Sequence, residues 1–138
     1  MSKAFGKLDT TSICDTPVEF EYMGADGATN TGFFVSVLGQ YSKKVQDAII
    51  KMENRDRLRA FEAKKRGKQD SPKDAKEEVE DTIALIASRV AGWRGTVSGD
   101  EVPEYSEENA IELIKLNHII RGKVLEVSND VVNFTTSK

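Results

Sequence analysis

From Pro17 the chain alternates. Val18, Phe20 and Tyr22 stand at every second position around Glu19 and Glu21, the two-residue period of a strand with one buried face. The turn formers Gly24-Ala-Asp-Gly27 and Thr31-Gly32 follow. Phe33, Phe34, Val35 and Val37 then make a second aromatic and β-branched run, closed by Gly39. Together they predict an antiparallel hairpin over about 18–38. A hairpin alone is marginal in water, so its apolar face must pack on helices or on a neighbouring chain.

Beyond Gly39 the period becomes helical. Ser42 suits the N-cap of a first helix over about 42–66, with Val45, Ala48, Ile49 and Met52 on one side and Leu58 and Phe61 continuing the stripe more thinly. Residues 66–71 are polar and read as a connector. A second helix over about 72–93 has Ser71 at the N-cap, Pro72 at the first helical position and Asp74, Glu77 and Glu78 in the early turns. Its stripe is Val79, Ile83, Ile86, Val90 and Trp93, with Gly95 as the stop. After a loop over about 96–105, Ser106 caps a third helix (107–116) carrying Ile111, Leu113 and Ile114, with Leu116 as a further apolar position. Asn117 caps a fourth (118–130) with Ile119, Ile120, Val124 and Val127, which Gly122 weakens by about 1 kcal/mol relative to alanine. Val131, Val132 and Phe134 end the chain on an apolar note, and residues 1–16 read as a loosely ordered arm. The expected fold is α+β and mainly α-helical, a single domain over 17–138 with an N-terminal β-hairpin followed by three to four helices.

Composition narrows the function. The 138 residues are 38% hydrophobic and 31% charged, which predicts a modest core wrapped in solvated helices. The net charge of −3 is too small to point to any partner. Cys14 is the one cysteine, so no intramolecular disulfide and no zinc spacing is possible. No apolar run approaches the roughly 20 residues that span a bilayer, and none resembles a signal peptide. The expectation is a protein of a reducing cytoplasm with no membrane partner.

Candidate chemistry is sparse. His118 is the sole histidine and has no Ser, Cys or Asp constellation assignable to it. The acidic residues gather at helix starts, where the dipole explains them, and no glycine pattern forms a phosphate loop. These features point away from an enzyme and from any cofactor or metal, towards a protein that binds macromolecules. The run from Arg55 to Lys68, including Arg57, Arg59, Lys64 and Lys65, could contact phosphates. Only Tyr41 and Phe61 are at hand for base stacking, however, and two acidic segments, Asp74–Asp81 and Asp100–Glu112, offer internal partners instead. Internal pairing is the favoured reading, and nucleic acid the weaker one. Trp93 either closes the core or anchors an interface, and the stripe it completes favours the core.

Three blocks carry a resemblance: Val90-Ala-Gly-Trp93-Arg-Gly95, the acidic loop Gly99-Asp-Glu-Val-Pro103, and Tyr105-Ser-Glu-Glu-Asn109 leading into an apolar helix. With the ending Asn129-Asp-Val-Val-Asn-Phe134, the chain from Pro17 onward resembles the tail assembly chaperones of lambda-type, long non-contractile-tailed bacteriophages. The resemblance implies a protein of the host cytoplasm that self-associates, coats the hydrophobic tape measure protein, helps recruit tail tube protein and is absent from the finished virion. It implies no catalytic residues. The basic run at 55–68 has no counterpart in the family pattern. The alternatives are a small phage nucleic-acid-binding protein using Arg57, Arg59, Lys64 and Lys65, or a structural tail component. For partner contact the candidates are Phe34 and Trp93, together with Ile120, Val124, Val127 and Phe134 near the C-terminus.

Overall fold

The alternation that begins at Val18 builds strand β1 (Val18–Glu21), which pairs antiparallel with β2 (Phe33–Val37), Val18 opposite Val37 and Phe20 opposite Val35. The computed structural model describes residues 3–67 and 74–135. In it β2 has a second neighbour. Strand β3 (Val90–Gly95) pairs antiparallel with the far edge, Val35 opposite Trp93 and Phe33 opposite Gly95, giving the sheet order β1-β2-β3. A register irregularity at Ser36/Val37 brings Val90 opposite Val37. Phe33, Val35, Val37 and Val90 are buried, and Val18, Phe20 and Trp93 pack partly buried against that core. Glu19, Phe34 and Arg94 share the other face. There Arg94 holds both oxygens of Glu19 at 2.8 Å and lies 4.1 Å over the Phe34 ring. These hydrogen bonds keep the Glu19 carboxyl below its ordinary range.

β3 overturns one expectation. The helix predicted over 72–93 is α4 (Ala75–Ala87), and its last two stripe positions, Val90 and Trp93, lie on a strand. Spacings of four and three suit a helix, but β-branched Val90 and aromatic Trp93 are also favoured on a pleated strand. The vacant edge of β2 decides the matter, because its buried backbone groups need partners. At the handover Arg89 N–H donates to Ile86 O, and the Arg89 carbonyl accepts from Leu38 N–H at 2.7 Å. Gly95 is therefore not a helix stop. It has φ +88°, and a Cβ there would run into the Gly32 carbonyl. The N-cap of α4 is Asp74, which accepts from Glu77 N–H at 2.8 Å. The predicted cap Ser71 and first-turn Pro72 lie outside the described residues.

The other caps match their prediction. Ser42 starts α3 (Lys43–Lys65), Ser106 starts α5 (Glu107–Leu116), and Asn117 Oδ1 accepts from Ile119 and Ile120 N–H, each at 2.9 Å, to start α6 (His118–Asn129). Ile83, Ile86 and Ala87 of α4, Ala110 and Ile114 of α5, and Ile120, Val124 and Val127 of α6 complete the core against the sheet. The protein is thus mixed α+β and mainly helical, with the hairpin extended to three strands.

The N-terminal stretch is more built than a loose arm. It forms α1 (Lys3–Gly6) and α2 (Thr10–Cys14), and the end of α2 is pinned to the body. Cys14 is fully buried, its carbonyl accepts from Gly39 N–H at 3.0 Å, and Asp15 accepts from Lys43 N–H at 2.8 Å. Gly39 is needed at that contact, since a Cβ would collide with the Cys14 side chain. A last short helix, α7 (Val132–Thr135), packs beside α2 and leaves Phe134 half-buried.

Ile86 is only 3% exposed, so Ile86→Ala is expected to cost about 2–5 kcal/mol in urea unfolding. The Glu19–Arg94 pair sets a pH dependence. Its contribution is present above the ordinary glutamate value of 4.5 and is lost as pH falls through the lowered folded value. Glu19→Gln should therefore melt below the parent at neutral pH, with the gap closing in acid, as thermal melts across pH will show.

Candidate partner-binding site

At the β3 end of the core the helices do not fully cover the sheet. Tyr22, Phe33 and Trp93 there form one side of a cleft of about 320 Å³. Val97, Val102 and Pro103 of the following loop form a second side, and Leu113, Leu116 and Ile120 at the α5–α6 corner a third. Asn109, Glu112 and Asn117 supply its polar margin.

The indole is held rather than loosely packed. Trp93 Nε1–H donates to the Pro103 carbonyl at 2.8 Å. Tyr105 meets the indole edge-on, with centroids 5.3 Å apart, and Phe33 lies 6.2 Å away on the core side. Tyr105 is fixed in turn, because its hydroxyl donates to Val90 O at 3.1 Å and accepts from Lys44 Nζ at 2.7 Å. The loop is anchored at both ends. Ser98 N–H donates to Thr31 O at 2.8 Å, and Asn109 Nδ2 donates to Glu104 O at 2.9 Å. These ties give the cleft a set shape, which lowers the ordering cost of binding.

Glu112 is the one carboxylate in the cleft lining, and the segment leading up to it is acidic and open. Asp100, Glu101, Glu104, Glu107, Glu108 and Glu112 are all exposed, and among the described residues none is in an ion pair. The other acidic segment behaves oppositely. Arg55 bridges Asp56 and Asp81, each at 2.9 Å, and Arg59 meets Glu77 at 2.6 Å. So the basic helix does find the internal partner predicted for it at 74–81, and Asp81 with Asp56 raises the Arg55 pKa further.

The residues proposed for partner contact divide accordingly. Trp93 and Ile120 line the cleft. Val124 and Val127, at 0% and 7% exposure, are core and cannot form a contact surface in this fold; Ile120 itself is 2% exposed and only backs the cleft. The apolar side of α6 faces the sheet, which buries all three. Phe134 packs half-buried against the same core, and Phe34 lies on the opposite sheet face under Arg94. On α3, Arg57, Lys64 and Lys65 are exposed while Arg59 is engaged by Glu77.

Other exposed apolar residues, read from the sequence only as parts of helix stripes, were not among the contact candidates. Leu116 is 75% and Ile119 50% exposed beside the cleft. They are the apolar positions left over when Ile114 and Ile120 turn inward, a signal visible only once those two are placed. Leu58 and Phe61, expected to extend the α3 stripe, are 58% and 64% exposed. At 3.6 residues per turn they lie roughly half a turn from Val45 and face solvent. A larger cavity of about 510 Å³ lies between α3 and the α4–α5 pair, with Lys44, Lys51, Arg55, Asp47 and Glu107 giving it a rim of mixed sign. Among the described residues no group of three His, Cys, Asp or Glu side chains converges to hold a metal ion, and no helix is long and apolar enough to cross a membrane.

Comparison with protein-family models, curated proteins and solved structures finds no match for this chain.

Trp93→Phe keeps a ring in the cleft but removes the bond to Pro103. It should cost about 0.5–1.5 kcal/mol, read by circular dichroism in urea because the only tryptophan is gone.

Proposed function

We propose that the protein is a tail assembly chaperone of a long, non-contractile-tailed phage. It binds apolar segments of the tape measure protein in the host cytoplasm, keeps them soluble while tail tube subunits gather, and leaves before the virion is complete. The observation that carries this reading is convergence. The three blocks behind the resemblance, residues 90–95, 99–103 and 105–109, each contribute to the one aromatic cleft, through Trp93, through Val102 and Pro103, and through Asn109.

An apolar cleft open to solvent, with Leu116 and Ile119 exposed beside it, suits a protein that shields apolar segments of another chain. One aliphatic side chain buried there contributes about 1.5–3 kcal/mol. Micromolar affinity needs about 8 kcal/mol, so a single anchor holds weakly and several contacts along a client are required. Weak, repeated contacts also permit the later displacement by tube subunits. The nucleic-acid alternative loses ground because Arg59, with Arg55 next to it on the helix, is already paired to α4, leaving Arg57, Lys64 and Lys65.

Co-expression tests the reading. A cognate tape measure protein should stay soluble and co-elute with this chain in gel filtration. Leu116→Lys, at a position too exposed to disturb the fold, should cut the soluble yield severalfold. Equal solubility with and without the chain, and no complex, would refute the role.

A further inference from the structure

The cleft also carries a charge preference. Six carboxylates lie between Asp100 and Glu112 with no basic residue among them. The chain's other acidic segment is tied to arginines of α3, whereas this one has no ion pair among the described residues. One of these carboxylates, Glu112, lines the cleft, and Glu108 stands one helical turn back along the same side of α5, about 6 Å along the axis. Leu116 continues the row one turn further and is 75% exposed. The row therefore reads acid, acid, apolar at four-residue steps, beside a pocket walled by Trp93, Val102 and Leu113.

We propose that the cleft takes a basic amphipathic helix of a partner protein, with one apolar side chain seated against Trp93 and lysines or arginines one turn apart facing Glu108 and Glu112. Basic residues at four-residue spacing on a helix laid along α5 repeat every 6 Å or so, the same step as the carboxylates. Electrostatic complementarity of this kind sets which segment is chosen and in which register, while the apolar anchor supplies the affinity. This rests on the chaperone reading only in naming the client: there, the cleft selects cationic apolar stretches of the tape measure protein. An acidic or neutral apolar segment would bring like charge or nothing to these carboxylates.

Trp93 is the only tryptophan in the chain and reports on the cleft directly. The probe is a tryptophan-free synthetic peptide of about 18 residues with leucines on one helical face flanked by lysines, paired with a copy carrying glutamate for every lysine. The lysine peptide should change Trp93 emission saturably, bind about tenfold or more tighter than the glutamate copy, and weaken as salt rises from about 0.05 M to about 0.5 M. Glu108→Gln with Glu112→Gln should erase the difference between peptides, and Glu112→Lys should narrow or reverse it, both with an unchanged circular dichroism spectrum. Equal binding of the two peptides, or a preference untouched by the Gln pair, overturns the proposal. So does Trp93 emission that shifts with protein concentration alone, which would place a second copy in the cleft. If the charge preference holds but the tape measure protein is not solubilised, only the chaperone role fails. If the tape measure protein is solubilised equally by the Gln pair, only the charge inference fails.

Discussion

Phe33, Val35 and Val37 are almost fully buried, and a buried strand must satisfy backbone groups on both of its edges. β1 closes one edge through a local hairpin. The other is closed by Val90–Gly95, a segment that arrives only after two long helices. That non-local pairing fixes most of the remaining architecture. It ends α4 at Ala87 and sets Trp93 opposite Val35. It also launches the loop that returns Pro103 to the indole. Without β3 the core would lack its far wall and the cleft would lose the indole that stands between Phe33 and Tyr105.

Charge is divided between two tasks. Ion pairs at exposed positions contribute little stability each, so Arg55–Asp81 and Arg59–Glu77 act mainly to align α3 along α4 and to occupy the basic helix. On α3 only Val45 is fully buried, so such alignment matters where core packing is thin. The carboxylates of 100–112 do no comparable internal work. Left unpaired along the segment that ends in the cleft lining at Glu112, they repel one another and favour any cationic segment that neutralises them.

The cleft and the core are built from the same side chains, which gives binding its structural basis. Phe33 and Ile120 belong to the buried cluster and to the cleft lining at once, so the cleft is as rigid as the core behind it. Trp93 bridges the two, set between Phe33 and Tyr105 and tied to Pro103.

Where local chemistry decides, the sequence was sufficient. The two-residue period around Val18–Tyr22 specified the hairpin, and Ser42, Ser106 and Asn117 specified three helix starts, because caps and alternation act over a few residues. The opposite charges of 55–59 and 74–81 were equally legible, and they do meet. What only the tertiary structure decided was the fate of short apolar runs whose spacing fits more than one period. Val90 and Trp93 read as helix and became strand when the vacant edge of β2 claimed them. Ile120, Val124 and Val127 read as a surface and became core, while Leu116 was left outside. Which apolar residues stay exposed depends on how much area the whole fold can cover, and that is a property of packing rather than of any local segment.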